Sequence, residues 1–253
     1  MIKIENVEVL GWEHAIRGMR NPKNSWDRSD SSECNMSGNY QCKDCHRGTS
    51  NYCIGANDLD LMIRLSKAGT DHRKFMRMIV VYADITAPLY WWSEYDTYKV
   101  GTVANSCSKM HKIHEKEFVL DDFSHNKLFY ANLLSKEEWI DGDFDYSSIS
   151  ILKTVIEHLN KCRNQYNIAE EKLKRKDLTD AERKHIASQK KFYWWQMIQL
   201  LPSSYNQKRT VMLNYEVLKN MYHSRKNHKL DEWHTFCDFI EKLPYAKELI
   251  INE

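Results

Sequence analysis

The stretch LPSSYNQKRTVMLNYEVLKNMYHSR, residues 201–225, decides the fold of the C-terminal part of the chain. Within it, residues 209–213 predict a short strand. Asn214 comes next and is a strong helix N-cap, because its side-chain oxygen accepts a hydrogen bond from an otherwise unpaired amide of the first helical turn. Leu218 and Met221 then follow at helical spacing. The stretch therefore predicts a strand that turns directly into a helix at Asn214.

Arg225 lies at the end of this predicted helix, seven residues after Leu218 and four after Met221. That spacing places the guanidinium group on the apolar face of the helix, where its charge needs a partner. In one interpretation Arg225 is structural, since its stem covers apolar surface and its charge favours the negative end of the helix. In the other it binds a ligand. The helix taken by itself favours the structural interpretation.

The composition is typical of a soluble globular protein, with 42% hydrophobic and 28% charged residues in a chain of 253. No apolar run approaches the roughly 18 residues that a membrane span needs. The first residues, MIKIENVEVL, have the pattern of a strand and not that of a signal peptide. We therefore expect a cytoplasmic protein with no membrane partner. Lys and Arg number 37 against 35 Asp and Glu, which does not indicate nucleic acid as the partner and leaves an anionic small molecule open.

The remaining patterns predict a few strands among more numerous helices. Strands are expected at residues 2–9 and 77–84. One helix is expected to end near Asn21, a second to run from a capping Asn57 or Asp58 to Ala68, and a third to begin near Thr86 or Pro88. Three more are expected: one over residues 148–166, one that begins at the capping box of Thr179 and Glu182, and one over residues 230–243. The helix over 148–166 and the one that follows it are expected to pair as a hairpin. Residues 1–253 are therefore predicted to form a single α+β domain, rich in helices around a small central sheet.

A turn-rich segment, residues 29–55, is predicted to be a loop insertion in this domain. It carries four of the seven cysteines, Cys34, Cys42, Cys45 and Cys53, with the spacing C-x7-C-x2-C-x7-C. Four thiolates at such a spacing can bind a structural zinc ion tetrahedrally. Free thiols and a disulfide pair are the alternatives, and the spacing does not decide among the three.

The spacing of polar residues around Arg225 resembles that of a known family. Asn214 follows Pro202 by twelve residues, Asn220 follows Asn214 by six, and Arg225 follows Asn214 by eleven, with Leu218 between them. This pattern resembles the C-terminal motif of flavin-dependent thymidylate synthases, in which a Leu-Pro pair precedes a strand and then an Asn…Leu…Asn…Arg helix. The resemblance implies a divergent member of that family, with its helix-rich α+β fold.

The segment YKVGTVANSCSKMH, residues 98–111, stands where that family carries the signature RHR-x2-S-x-N-E-x-S-x-RY. Asn105 and Ser108 keep the Asn-x-x-Ser spacing of the signature. The segment departs from it elsewhere, because Tyr-Lys-Val replaces Arg-His-Arg and Ser106 replaces the Glu. Without the resemblance, residues 101–108 predict only a polar loop whose hydroxyl groups are hydrogen-bonded.

The resemblance implies a chemistry and a set of site residues. It implies methylation of dUMP to dTMP, or a related change at C5 of a pyrimidine nucleotide, with FAD as cofactor, NADPH as reductant and methylenetetrahydrofolate as carbon donor. Arg225 would be catalytic, contacting the pyrimidine and stabilising negative charge on its carbonyl. The substrate would also contact Ser106, Ser108 and Lys109, and the cofactor would contact Tyr98, Lys99, Asn105, Asn214, Asn220 and His228. The family also implies a homotetramer. The alternative is a non-catalytic protein of the same fold that binds a nucleotide or another partner.

Other reactive or aromatic side chains have structural interpretations. Trp91 and Trp92 are expected to fill the core and not to stack on a flavin. Glu94 and Asp96 are two residues apart, which places them on different sides of a helix and does not suggest an acid–base pair. Cys107 has no identifiable general base beside it and is expected to be a small buried residue.

Overall fold

The computed structural model describes residues 2–34, 52–128 and 147–252, except for the side chain of Lys109. The chain divides into two compact units. One comprises Pro88–Tyr90 and Cys107–Gln207, and the other Ile2–Ala87, Trp91–Ser106 and Lys208–Glu253. Helices dominate and a small sheet lies among them, so the predicted α+β class is confirmed. The assignment of residues 1–253 to a single domain stays a prediction.

The elements follow the predicted order with shifted ends. The strands are β1 (Lys3–Leu10), β2 (Ser32–Glu33), β3 (Tyr52–Cys53), β4 (Val80–Pro88), β5 (Thr102–Ser106) and β6 (Asn206–Asn214). The α-helices are α1 (Trp12–Arg20), α2 (Ala56–Lys67), α3 (Leu89–Tyr95), α4 (Lys109–Lys112), α5 (Ser148–Leu173), α6 (Asp180–Leu200), α7 (Tyr215–Arg225) and α8 (Asp231–Glu241). A π-helical turn at Lys247–Ile251, which the sequence did not predict, follows them. In the described part of the chain, no helix is both long and apolar enough to cross a membrane.

The main sheet has four strands in the order β1-β4-β6-β5. β1 runs antiparallel to β4, with Lys3 opposite Thr86, and β5 runs antiparallel to β6, with Thr102 opposite Leu213. The prediction of a polar loop over residues 101–108 is therefore wrong in part, because residues 102–106 of it form β5. β5 forms there because its backbone pairs with β6, while most of its side chains stay exposed and give no apolar alternation.

Asp84 links three strands of this sheet. Its carboxylate accepts hydrogen bonds from Thr210 Oγ1 at 2.6 Å and Asn6 Nδ2 at 2.9 Å, and Lys208 Nζ lies 3.1 Å away. The hydrogen bond from Thr210 and then those from Asn6 and Lys208 lower the pKa of Asp84 to about 2. Asn6 reaches this carboxylate from an irregularity in β1, where its φ is 53°. Side-chain contacts thus reinforce the backbone pairing of β1, β4 and β6.

The start of α2 is capped differently from the prediction. The sequence suggests Asn57 or Asp58 as the capping residue, but the helix begins at Ala56. Asp30, from the preceding segment, accepts hydrogen bonds from the amides of Asn57 at 2.9 Å and Asp58 at 3.1 Å. Asp30 therefore caps α2 in place of Asp58, and the Asp58 side chain is buried in the protein.

Asp58 forms a buried ion pair with Arg20. Arg20 Nε donates to Asp58 Oδ1 at 2.6 Å, and the Arg20 and Asp58 side chains are 5% and 0% exposed. The hydroxyl groups of Ser29 and Ser31 each donate to Oδ2 at 2.6 Å. Burial alone would raise the pKa of Asp58, but the hydrogen bonds from Ser29, Ser31 and Arg20 outweigh it and lower that pKa. This pair holds the end of α1 against α2.

The unit that contains Cys107–Gln207 is built on the predicted helical hairpin. α5 extends past its predicted end at residue 166 to Leu173. The capping box of Thr179 and Glu182 is present at the start of α6. Lys190 Nζ on α6 donates to Glu170 Oε1 on α5 at 2.8 Å, and the pairing of the two helices is confirmed. The hydrophobic core of this unit includes the buried side chains of Ile113, Phe118, Phe123, Ile149, Leu152, Ile156, Leu159, Cys162 and Met197.

Replacing Asp58 by Ala is expected to lower the free energy of unfolding by about 3 kcal/mol at neutral pH, because the Arg20 charge then stays buried without its carboxylate. The folded-state pKa of Asp58 lies below its usual value of 3.8, so the carboxylate stabilises the fold fully above pH 3.8. This stabilisation is lost as the pH falls below that value toward the folded-state pKa. Urea unfolding at a series of pH values should show the difference between the two proteins shrink on the acid side.

Asp60→Ala is the matched control on the same helix. Asp60 is 65% exposed and pairs with Arg64 four residues on, so its loss is expected to change the free energy of unfolding by less than about 0.5 kcal/mol. Equal effects of the two substitutions would contradict a stabilising role for the buried pair.

Candidate functional site

α7 begins as its sequence predicts. Asn214 Oδ1 accepts a hydrogen bond from the amide of Val217 at 2.9 Å, and Asn214 Nδ2 donates to the carbonyl oxygen of Gly101 at 3.5 Å. Gly101 has a φ of 77°, and a Cβ atom there would lie 2.3 Å from Asn214 Nδ2. Asn214 thus caps α7 and also contacts the turn before β5, and glycine is required at position 101 for that approach.

Arg225, at the last position of α7, has a carboxylate partner. Its Nη1 donates to Glu94 Oε2 at 3.0 Å, and its Nε donates to the hydroxyl group of Tyr98 at 2.9 Å. The guanidinium group lies over the ring of Trp233, 4.8 Å from its centroid, and 5.5 Å from the centroid of Tyr98. The partner that its position on the helix demands is therefore Glu94, on α3.

Three nitrogen atoms converge on Glu94 Oε2. Besides Arg225, Trp233 Nε1 donates to this oxygen at 2.9 Å, and His228 Nε2 lies 3.2 Å from it. His228 Nδ1 accepts a hydrogen bond from the amide of Leu230 at 3.2 Å. In the neutral ring the proton is therefore on Nε2, the nitrogen that faces Glu94. We call Glu94, Tyr98, Arg225, His228 and Trp233 the Glu94 cluster.

Aromatic side chains surround the Glu94 cluster. Trp91, Trp92 and Tyr95 of α3 are buried, as is Phe236 of α8. The rings of Trp91 and Trp233 have centroids 4.9 Å apart. The core role predicted for Trp91 and Trp92 is confirmed. These rings cover one side of the cluster, so electrostatic interactions within it are stronger than they would be on a fully open surface.

The carboxylates of Glu94, on α3, and of Asp96, just after α3, do point to different sides, as their spacing predicts. Asp96 Oδ1 accepts from Arg209 Nη1 at 2.7 Å, and the Arg209 guanidinium lies 4.2 Å from the centroid of Trp92. Sequence patterns did not single out Glu94, because its partners Arg225 and Trp233 are more than a hundred residues away along the chain. The four-residue spacing of Glu94 and Tyr98 was the available signal, since in the helix predicted to begin near Thr86 or Pro88 it would bring both to one side.

The other residues predicted to bind the substrate are Ser106, Ser108 and Lys109. Ser106 is exposed at the end of β5. Ser108 caps α4, where its hydroxyl oxygen accepts from the amide of His111 at 3.1 Å. Lys109 is the first residue of α4. The burial expected for Cys107 is wrong, because its thiol is free and the residue is exposed.

The six residues predicted to bind the cofactor form two groups. Tyr98, Asn214 and His228 use their polar atoms in hydrogen bonds within the protein. Lys99, Asn105 and Asn220 are exposed. These three bring one positive charge and two amides, which fit the phosphate and carbonyl acceptors of a flavin dinucleotide.

The predicted metal site lies partly outside the described residues. Cys34 and Cys53 are half-buried at the two ends of the segment, Cys34 directly after β2 and Cys53 within β3. Cys42 and Cys45 belong to residues 35–51, which the structure does not describe. Among the described residues, no group of three or more His, Cys, Asp or Glu side chains is arranged to hold a metal ion. The zinc, free-thiol and disulfide alternatives all stay predictions.

A separate cavity of about 1720 Å³ lies in the same unit as the Glu94 cluster, beside α1 and α2. Its apolar lining includes Met19, Leu61 and Phe75, and charged residues such as Lys23 and Arg64 also line it. No member of the Glu94 cluster lines this cavity.

The fold resembles solved structures along nearly the whole chain. Thymidylate Synthase X (ThyX) from Helicobacter pylori, solved with FAD and dUMP, is 15% identical with a TM-score of 0.57, over 99% of this chain and 97% of that one. A second structure of this flavin-dependent enzyme with FAD and dUMP is 15% identical with a TM-score of 0.55, over 97% and 98%. The UMP/dUMP methylase PolB from Streptomyces cacaoi, bound with 5-Br dUMP, is 12% identical with a TM-score of 0.52, over 99% and 95%.

These similarities show a divergent ThyX-like fold. Neither a protein family nor a curated protein matches the sequence itself.

Replacing Asn214 by Ala is expected to lower the free energy of unfolding by about 1 kcal/mol, because the amide of Val217 loses its acceptor. Asn214→Asp keeps that acceptor and should retain most of the stability. Asn220→Ala, at an exposed position of the same helix, is the control and should change stability little. If urea unfolding showed the same loss for the Asp and Ala variants at position 214, the capping role would be refuted.

Proposed function

We propose that the chain binds a pyrimidine nucleotide and modifies C5 of its base, methylating dUMP to dTMP or catalysing a related reaction, with FAD as cofactor. The observation that carries this proposal is the state of Arg225. It stands at the motif position where the resemblance implies a base-contacting arginine, and its guanidinium group is held in place by Glu94, Tyr98 and Trp233. The ThyX-like fold supports the same function.

Arg225 suits the stabilisation of negative charge on a pyrimidine carbonyl. A group that is already oriented before the substrate arrives does not have to reorganise as charge develops. Two hydrogen bonds and a stacked indole ring orient this guanidinium group, and its side chain is 19% exposed. A base can therefore reach it, while the surrounding rings keep most water away.

The cofactor part of the proposal rests on Lys99, Asn105 and Asn220, the three exposed residues that the resemblance assigns to the flavin. FAD, once bound and reduced by NADPH, would supply the redox chemistry, and methylenetetrahydrofolate would supply the carbon. We also propose the homotetramer that the resemblance implies.

A second function, nucleotide binding without catalysis, is favoured by one specific observation. Tyr98 replaces the first arginine of the family signature, and its hydroxyl group accepts a hydrogen bond from Arg225. The residue at this position therefore supports the base-contacting arginine and brings no charge of its own to a flavin. A protein that binds dUMP but no FAD would fit this second function.

The purified protein is expected to be yellow or to become yellow on reconstitution with FAD, and its flavin absorbance should change as dUMP is added. Arg225→Ala should weaken dUMP binding about tenfold to a hundredfold, because it removes a charged hydrogen-bond donor. Arg209→Ala is the matched control, since Arg209 is also paired with a carboxylate, that of Asp96 just after α3, and stacked on Trp92 of α3. It should bind dUMP like the unmodified protein.

A colourless protein that takes up no FAD and still binds dUMP through Arg225 would select the second function. If neither dUMP nor FAD bound, both functions would be contradicted. If Arg225→Ala and Arg209→Ala bound dUMP equally well, the role of Arg225 in contacting the base would be contradicted.

A further inference from the structure

The Glu94 and Arg225 side chains each have one polar atom without a protein partner. Glu94 accepts its side-chain contacts through Oε2 alone. Arg225 donates through Nε and Nη1. Within residues 2–34, 52–128 and 147–252, neither Glu94 Oε1 nor Arg225 Nη2 makes a hydrogen bond. The ion pair therefore has an acceptor and a donor to offer to a ligand.

These two atoms belong to neighbouring groups. Arg225 Nη1 and Glu94 Oε2 are 3.0 Å apart, and Nη2 and Oε1 are bonded to the same carbons as those two atoms. The Glu94 side chain is 33% exposed and that of Arg225 is 19% exposed, so a ligand can approach both. Trp233 and His228 fix the position of the carboxylate from the protein side.

Uracil has the complementary pattern. Its N3–H donor lies between two carbonyl acceptors, so one edge of the base can donate to Glu94 Oε1 while a carbonyl oxygen accepts from Arg225 Nη2. Cytosine has no hydrogen on N3 at neutral pH, and its N3 lone pair would face the carboxylate oxygen. A site with a fixed acceptor rejects a ligand that cannot donate to it, because the buried polar atoms are left unpaired or repel.

We propose that Glu94 is a specificity-determining residue, which accepts a hydrogen bond from N3–H of the base through Oε1 and so selects uracil nucleotides over cytosine nucleotides. This inference rests on the proposed function, because it assumes that Arg225 contacts the base. It extends that function, because Arg225 by itself could not distinguish the two bases: it donates to a carbonyl oxygen, and uracil and cytosine both carry a carbonyl at C2.

The test compares the binding of dUMP and dCMP to the full-length protein by calorimetric titration. The unmodified protein is expected to bind dUMP about tenfold to a hundredfold more tightly than dCMP, the effect of one unpaired hydrogen-bonding group. Glu94→Gln should reduce this preference to about threefold or less, because a glutamine side chain can turn its NH2 group toward N3 of cytosine. Most of that change should be a gain in dCMP affinity.

Asp96→Asn is the matched control, because it neutralises the carboxylate two residues further along the chain, just after α3, which pairs with Arg209. It should keep the preference of the unmodified protein for dUMP. Thermal unfolding of each variant identifies any general loss of folding, and Glu94→Gln keeps an oxygen that can accept from Trp233 and Arg225.

Three outcomes would overturn the inference. If the unmodified protein bound dUMP and dCMP equally, or if Glu94→Gln kept the full preference for dUMP, Glu94 would not select the base, while the proposed function would stand. If neither nucleotide bound the unmodified protein, the proposed function would fail and the inference would fail with it.

Discussion

The candidate site depends on one carboxylate oxygen, Oε2 of Glu94. Arg225 at the end of α7, His228 in the following turn and Trp233 in α8 all direct a nitrogen atom at it. Without this oxygen, a half-buried guanidinium charge would lie between two aromatic rings with no anion beside it, an arrangement that carries a large desolvation penalty. The Glu94 carboxylate therefore balances the charge of Arg225, so the guanidinium group can be partly buried and held in place while still exposed enough to contact a ligand.

The residues of the C-terminal motif have different physical roles. Asn214 uses both ends of its amide within the protein, one to cap α7 and the other to contact the turn at Gly101. Asn220 is exposed on the same helix. Arg225 is fixed by neighbours that the motif does not include. A motif defined by spacing therefore combines a residue that builds the helix with residues that are available to ligands.

The sequence predicted those features that depend on neighbouring residues. The cap at Asn214, the capping box at Thr179 and the hairpin of α5 and α6 follow from local hydrogen bonding and helical periodicity, and the structure has all three. It did not predict β5, whose pairing with β6 depends on backbone contacts between segments about a hundred residues apart.

The partners of charged side chains were the least predictable part of the fold and of the site. Asp58 is suited to capping α2, yet Asp30 caps that helix and Asp58 pairs with Arg20 in the interior. Glu94 looked like one of two unrelated helical carboxylates, yet it is the anion of the Glu94 cluster. In both cases periodicity gives the side of the helix on which a charge lies but not the distant group that it meets.

The central claim, that Glu94 links Arg225 to the bound base, is tested most directly by the indole N–H resonance of Trp233 in a proton–nitrogen NMR spectrum. This N–H donates to Glu94 Oε2 from a fully buried ring and has no direct access to a ligand. With the resonance assigned by a Trp233→Phe variant, it is expected to shift saturably as dUMP is added. In Arg225→Ala the same fraction of the shift should need about tenfold to a hundredfold more dUMP, because the affinity is lower by that factor. A Trp233 resonance that does not move while dUMP binds would contradict the claim.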